Sequence, residues 1–83
     1  MFYTYILKSL NNNSYYVGSC ENVKVRFNLH NKRLVKSTKR YAPWKLVYWE
    51  EYKTLLEARR REMQIKSWKK REAIEKLIKD FKI

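Results

Sequence analysis

One glycine, one proline, one cysteine and one histidine in 83 residues close off several kinds of chemistry. A glycine-rich phosphate loop needs several glycines in close order, and Gly18 stands alone. A single histidine, His30, cannot supply paired imidazole ligands or a Ser/His/Asp order. Cys20 has no partner for an internal disulfide and no companions for a zinc site, which fits a reduced, cytoplasmic protein. Acidic residues are scarce too: eight Asp and Glu stand against twenty Lys and Arg, for a net charge of +12. The longest apolar runs are only a few residues, too short to cross a bilayer. Met1-Phe2-Tyr3-Thr4 has none of the regions of a secretory signal.

What remains is an aromatic, strongly basic chain. Its hydrophobic content of 45% suits a packed fold and not a disordered segment. With no repeat, linker or low-complexity stretch, residues 1–83 are expected to form one domain with a modest core. Such an excess of positive charge points to a polyanion, nucleic acid first. The plainer reading is a solvated lysine surface kept for solubility.

Residues 2–8 alternate Tyr3, Tyr5 and Leu7 with Phe2, Thr4 and Ile6, a strand buried on both faces. Asn11-Asn12-Asn13 make a turn, and 14–19 return as a second strand. Asn22 is the expected N-cap of a helix whose stripe carries Val23, Phe27, His30 and Leu34, with Arg26 on its edge. Pro43 keeps the basic segment 35–44 out of helix, and 46–52 has the composition of a third strand. Thr54 opens a helix of about a dozen residues. Ser67 is the expected cap of a last helix carrying Ile74, Leu77, Ile78 and Phe81. The order β-β-α-β-α-α implies an α+β domain, a three-stranded antiparallel sheet flanked by helices.

Glu62 is out of place on this plan. Leu55, Ala58, Glu62 and Ile65 share an arc of about 80° on their helix, so a carboxylate projects from an apolar stripe. Left unpaired there it is costly; facing a divalent cation, it is not. An ion pair with a nearby Arg or Lys is the alternative. Glu57, about 140° around the helix, cannot share an ion with Glu62 and suits the helix N-terminus instead. Arg26 and His30, one turn apart, project together. Arginine grips phosphate oxygens as a planar fork and keeps its charge; solvent exposure and simple packing are the plainer readings for the two. Tyr5 and Tyr16 sit centrally in the hairpin beside Gly18, whose missing side chain marks a turn or a close approach.

These residues together resemble the GIY-YIG nuclease superfamily, in particular its small stand-alone members. Tyr3-Thr4-Tyr5-Ile6-Leu7 matches the first motif and Tyr16-Val17-Gly18 the second. Arg26 follows, then His30-Asn31. Pro43-Trp44-Lys45-Leu46-Val47-Tyr48 matches the third strand, and Glu57-Ala58-Arg59-Arg60-Arg61-Glu62 with Ile65-Lys66 the glutamate-bearing helix. Tyr3 replaces the glycine of the first motif. The resemblance implies phosphodiester hydrolysis with one Mg²⁺ or Mn²⁺ on Glu62, Arg26 clamping phosphate, and Tyr5 and Tyr16 positioning the attacking water. His30 is then an alternative base or phosphate ligand. Gly18, Asn31, Lys36, Lys39, Arg40, Arg59, Arg60 and Lys66 are the expected nucleic-acid contacts. Trp44 and Trp49 either stack on bases or pack in the core. A basic binding module without catalysis is the rival reading.

Overall fold

Alternation in the first strand sets the architecture seen in the computed structural model, which describes residues 1–81. Strand β1 (Phe2–Ser9) lies centrally in a three-stranded antiparallel sheet, between β2 (Tyr15–Cys20) and β3 (Trp44–Tyr52). Helix α1 (Val23–Asn31) links β2 to β3, and α2 (Leu55–Lys66) and α3 (Arg71–Lys79) follow. The expected order and α+β class therefore stand.

Both faces of the sheet are covered, which is why β1 is apolar on both. Tyr5, Leu7, Cys20, Ala42 and Trp44 form one layer, with Val23 and Phe27 of α1 against it. Ile6, Val17, Tyr48 and Ile65 form the other, beneath Ile74, Leu77 and Ile78 of α3. Ile6, Leu7 and Ile65 are wholly buried; each is worth about 1.5–3 kcal/mol of apolar burial. Trp44 belongs to the core and donates Nε1–H to the Thr38 carbonyl at 2.9 Å. Trp49 is half-buried against Phe81.

Caps explain most of the helix bounds. Asn22 accepts from the Val25 amide at 3.1 Å and Thr54 from the Glu57 amide at 3.2 Å, each holding an orphan donor. At the far end of α1 the backbone amides of Arg33 and Leu34 donate to the carbonyls of His30 and Leu29. Arg33 takes a left-handed φ of 62°, so a Schellman turn closes the helix without the usual glycine. Leu34 consequently leaves the α1 stripe and is exposed, contrary to the periodicity. Ser67 is likewise a C-cap, its amide bonding back into α2, and Lys70 takes the N-cap place of α3. Phe81 lies beyond α3 yet still packs on Tyr48 at 4.9 Å between ring centroids. Strand β3 begins at Trp44, two residues before the expected 46. There the Asn31 side chain brackets Trp44, accepting from its N–H at 2.5 Å and donating to its carbonyl at 2.9 Å.

Helix α2 is pinned to all three strands by polar bonds. Thr4 Oγ1 donates to the Ala58 carbonyl at 2.6 Å, Ser19 Oγ to Glu62 Oε1 at 2.6 Å, and Arg61 Nε to Glu50 Oε1 at 2.9 Å. Glu50 also accepts from the hydroxyls of Tyr48 and Tyr52. Burial works against the Glu50 carboxylate, but the bonds from Arg61 and the two phenols outweigh it and hold its pKa below the ordinary value. Burial and the Glu50 charge push both phenols up to about 12. Arg61→Met should therefore lower stability by about 1–3 kcal/mol. That is less than a fully buried pair would lose, because these side chains remain about a fifth exposed. Urea unfolding of parent and variant checks it; equal midpoints would refute it.

Candidate active site at the edge of the sheet

Gly18 sits on the edge strand β2, directly opposite Tyr5 of β1. A Cβ built at Gly18 would lie 2.5 Å from Tyr5 Oη, 2.7 Å from Tyr5 Cζ and 3.1 Å from Tyr16 Cε2. The backbone φ there is not positive. Space, not conformational freedom, is what the glycine provides: the Tyr5 phenol lies across β2 where any side chain would stand.

From that phenol a buried polar chain runs inward. Tyr5 Oη meets His30 Nε2 at 2.9 Å, and His30 Nδ1 meets Thr38 Oγ1 at 2.7 Å. Thr38 donates onward to the Val35 carbonyl at 3.4 Å, so its lone pairs face His30. That network assigns the proton to Nδ1 and leaves Nε2 to accept from the Tyr5 hydroxyl. His30 and Thr38 are fully buried. Burial, aided by the Arg26 charge, lowers the His30 pKa from 6.5 to about 4, so the ring is neutral at ordinary pH. Burial also raises the Tyr5 pKa well above that of a free phenol, with Tyr16 and Cys20 adding to the effect. The resting pair is thus phenol and neutral imidazole.

Around this chain a cleft of about 260 Å³ is lined by Tyr5, Tyr16, Gly18, Ser19, Arg26, His30, Val35, Arg59 and Glu62. Tyr16 stacks at a tilt on His30, centroids 5.0 Å apart. The bodies of α1 and α2 cover opposite faces of the sheet, yet Arg26 and Glu62 open on the same cleft. The Ser19 hydroxyl brings the Glu62 carboxylate to the β2 edge beside Gly18. Glu62 is not unpaired: its Oε2 takes Lys66 Nζ at 2.5 Å, and that ammonium also lies over the Tyr16 ring at 5.9 Å. The ion-pair alternative is thus present in the structure, with the carboxylate still facing the cleft.

The expected nucleic-acid contacts fall into three groups. Gly18 and Arg59 line the cleft, and Lys66 touches its wall through Glu62 and Tyr16. Lys36, Lys39, Arg40 and Arg60 are exposed. Asn31 spends both ends of its amide on the Trp44 backbone. Two participants escaped the sequence reading. Ser19 had a signal, since strand alternation places it with Thr4 on the α2 face. Thr38 had none, because it reaches His30 from an irregular segment.

The same residues carry the comparison with known proteins. The model of the GIY-YIG catalytic domain matches residues 1–77. The chain belongs to the GIY-YIG family. It is also similar to the UPF0213 protein SH2523 of Staphylococcus haemolyticus (strain JCSC1435), 38% identical over 73 residues, or 87% of this chain and 88% of that protein. No solved structure is a significant match. Membership carries a nuclease-type function and a nucleic-acid substrate. No helix among the described residues is long and apolar enough to cross a membrane.

Two expectations follow for this GIY-YIG domain. Gly18→Ala should cost about 1–3 kcal/mol, the range for overpacking, and should break the Tyr5–His30 bond. Urea denaturation with NMR of the His30 ring reads both, and an undisturbed ring signal would refute the crowding. The second concerns pH. A histidine whose folded pKa lies at about 4, below its ordinary 6.5, stabilises the fold fully above 6.5 and loses that contribution as pH falls toward 4. Between pH 7 and 4 the parent should lose more stability than His30→Gln, which keeps a hydrogen-bonding side chain and does not titrate. Parallel pH profiles would count against the assignment.

Proposed function

We propose that the protein is a Mg²⁺- or Mn²⁺-dependent endonuclease that hydrolyses phosphodiester bonds of DNA, of the repair or recombination type and acting in the cytoplasm. The observation that carries this reading is the convergence of Tyr5, Tyr16, Arg26, His30 and Glu62 on one cleft at the sheet edge. A binding module gains nothing from a carboxylate, a phosphate-gripping arginine and a phenol–imidazole pair facing one small space.

The donor set fits a single hydrated divalent ion. Glu62 brings one carboxylate to the cleft wall, and no group of three or more His, Cys, Asp or Glu side chains gathers anywhere among the described residues, the cleft included. One carboxylate with waters and substrate phosphate is the manner in which Mg²⁺ is usually held. Bound there, the ion would supply Lewis-acid stabilisation of charge on the phosphate.

The chain's own groups do the rest. The exposed Arg26 guanidinium donates to two phosphate oxygens and offsets the additional charge of the five-coordinate transition state. Tyr5 Oη, donating its proton to His30, presents its lone pairs to a water, and Tyr16 holds that water from the other side. As the water oxygen forms the new P–O bond and the bond to the leaving oxygen breaks, the water's proton passes to Tyr5 Oη and the departing alkoxide takes a proton from solvent in the open cleft. Tyr5 sends its own along the 2.9 Å bond to His30 Nε2, which is unprotonated at ordinary pH and, because burial disfavours its charged form, holds the proton only in passing before giving it up to solvent. Lys36, Lys39, Arg40, Arg59 and Arg60 grip the backbone without reading sequence.

Arg26→Ala and Glu62→Gln should each lower cleavage by about 100-fold or more, as loss of a transition-state electrostatic group does. Both should still fold, since Arg26 is exposed and a glutamine amide oxygen in place of the Glu62 carboxylate can still accept from Ser19. Incubation with plasmid, branched DNA and single strands, in Mg²⁺, Mn²⁺ or EDTA, reads the activity. Cleavage of DNA that survives both substitutions, or that persists in EDTA, would overturn the site. Binding without cleavage by the parent would leave the non-catalytic module as the better account.

A further inference from the structure

Resting on that reading of Glu62, we infer that Lys66 is a built-in counter-cation for the metal-binding carboxylate. It must be displaced before a divalent ion can settle, and it is then free to take a phosphate oxygen. Three observations carry this. Lys66 Nζ sits 2.5 Å from Glu62 Oε2, while the other oxygen is held by Ser19 at 2.6 Å, so both carboxylate oxygens already have partners. The ammonium also lies 5.9 Å from the Tyr16 ring centroid, against a residue of the cleft wall. The Lys66 side chain is about half exposed while that of Glu62 is 19% exposed. The lysine can therefore swing into solvent, whereas the glutamate cannot leave.

The pairing resolves the difficulty the sequence raised. A carboxylate on an apolar stripe would be costly if it stood alone; the lysine one turn later neutralises it without any ion, so the fold does not depend on metal. An i,i+4 glutamate–lysine pair on a partly exposed helix face is weak, which suits a partner that has to yield. Two cations cannot share Glu62 Oε2 at contact distance without mutual repulsion. Arrival of the divalent ion thus releases Lys66 beside the substrate cleft, where the charge-assisted bond it gave up can be remade to phosphate. Ser19 holds Glu62 at the β2 edge, and Lys66 couples metal loading to phosphate binding.

The test is Mn²⁺ affinity in the absence of nucleic acid, read by electron paramagnetic resonance on the intact chain, for the parent, Lys66→Met, Lys66→Arg and Glu62→Gln. Methionine keeps the length of the stem and removes the charge, so Lys66→Met should bind Mn²⁺ tighter, on the order of three- to tenfold. Lys66→Arg retains a cation and should bind at or below the parent's affinity. Glu62→Gln should bind no specific ion. If Glu62→Gln loses Mn²⁺ but Lys66→Met binds no tighter than the parent, the displacement is wrong and the metal site stands. If Glu62→Gln binds Mn²⁺ as the parent does, the metal site itself is wrong and the inference falls with it.

Discussion

The space left by one missing Cβ at Gly18 governs the whole cleft. Tyr5 crosses β2 only because nothing stands there, and His30 is held where Tyr5 needs it by Thr38 from below. Those contacts depend in turn on the Schellman turn at Arg33, which folds the chain after α1 back over its own histidine. A buried imidazole without partners would cost several kcal/mol. Satisfied at both nitrogens, it becomes a rigid strut that fixes one oxygen of the cleft. The aromatic richness of the chain makes sense in this light. Tyr5, Tyr16 and His30 pack on one another while leaving polar atoms at the rim.

Charge is handled differently at the two glutamates that meet α2. On the α2 face, Glu50 is locked by Arg61 and two phenols, a closed cluster with no cation to spare. At the β2 edge, Glu62 has a neutral hydroxyl on one side and a half-exposed lysine on the other. Both carboxylates are half-buried and both lie beside basic residues of α2, yet their characters are opposite. Glu50 ties α2 to β3; Glu62 faces the cleft with a half-exposed partner.

Much of this was legible in the sequence, for physical reasons. Strand alternation in β1, the Asn22 and Thr54 caps, and the stripe carrying Glu62 all act through local geometry that spacing reports directly. Convergence on Gly18 was legible because a lone glycine next to tyrosines signals a close approach. Other features were hidden. Helix periodicity continues past Asn31 in the sequence, but Arg33 adopts a left-handed turn that only glycine advertises, so Leu34 was misplaced. Serine serves either end of a helix, and at Ser67 the carbonyls of α2 claimed its amide. The Asn31–Trp44 clamp, the Thr38 contact and the Glu50–Arg61 pair join residues 13, 8 and 11 apart through irregular or differing elements, where no single period applies.

Because β2 is the edge strand, the cleft is assembled from both layers of the molecule and not carved into one of them. Arg26 and His30 arrive on the helix of one face, Glu62 on the helix of the other, and only the narrow rim at Gly18 and Ser19 joins them. Neither layer contains a working half. Undocking α2 from the sheet would take Glu62 and Arg59 out of the cleft and leave Tyr5, Tyr16, Gly18, Arg26 and His30 behind, so the wall is closed only while helices on both faces are seated at once.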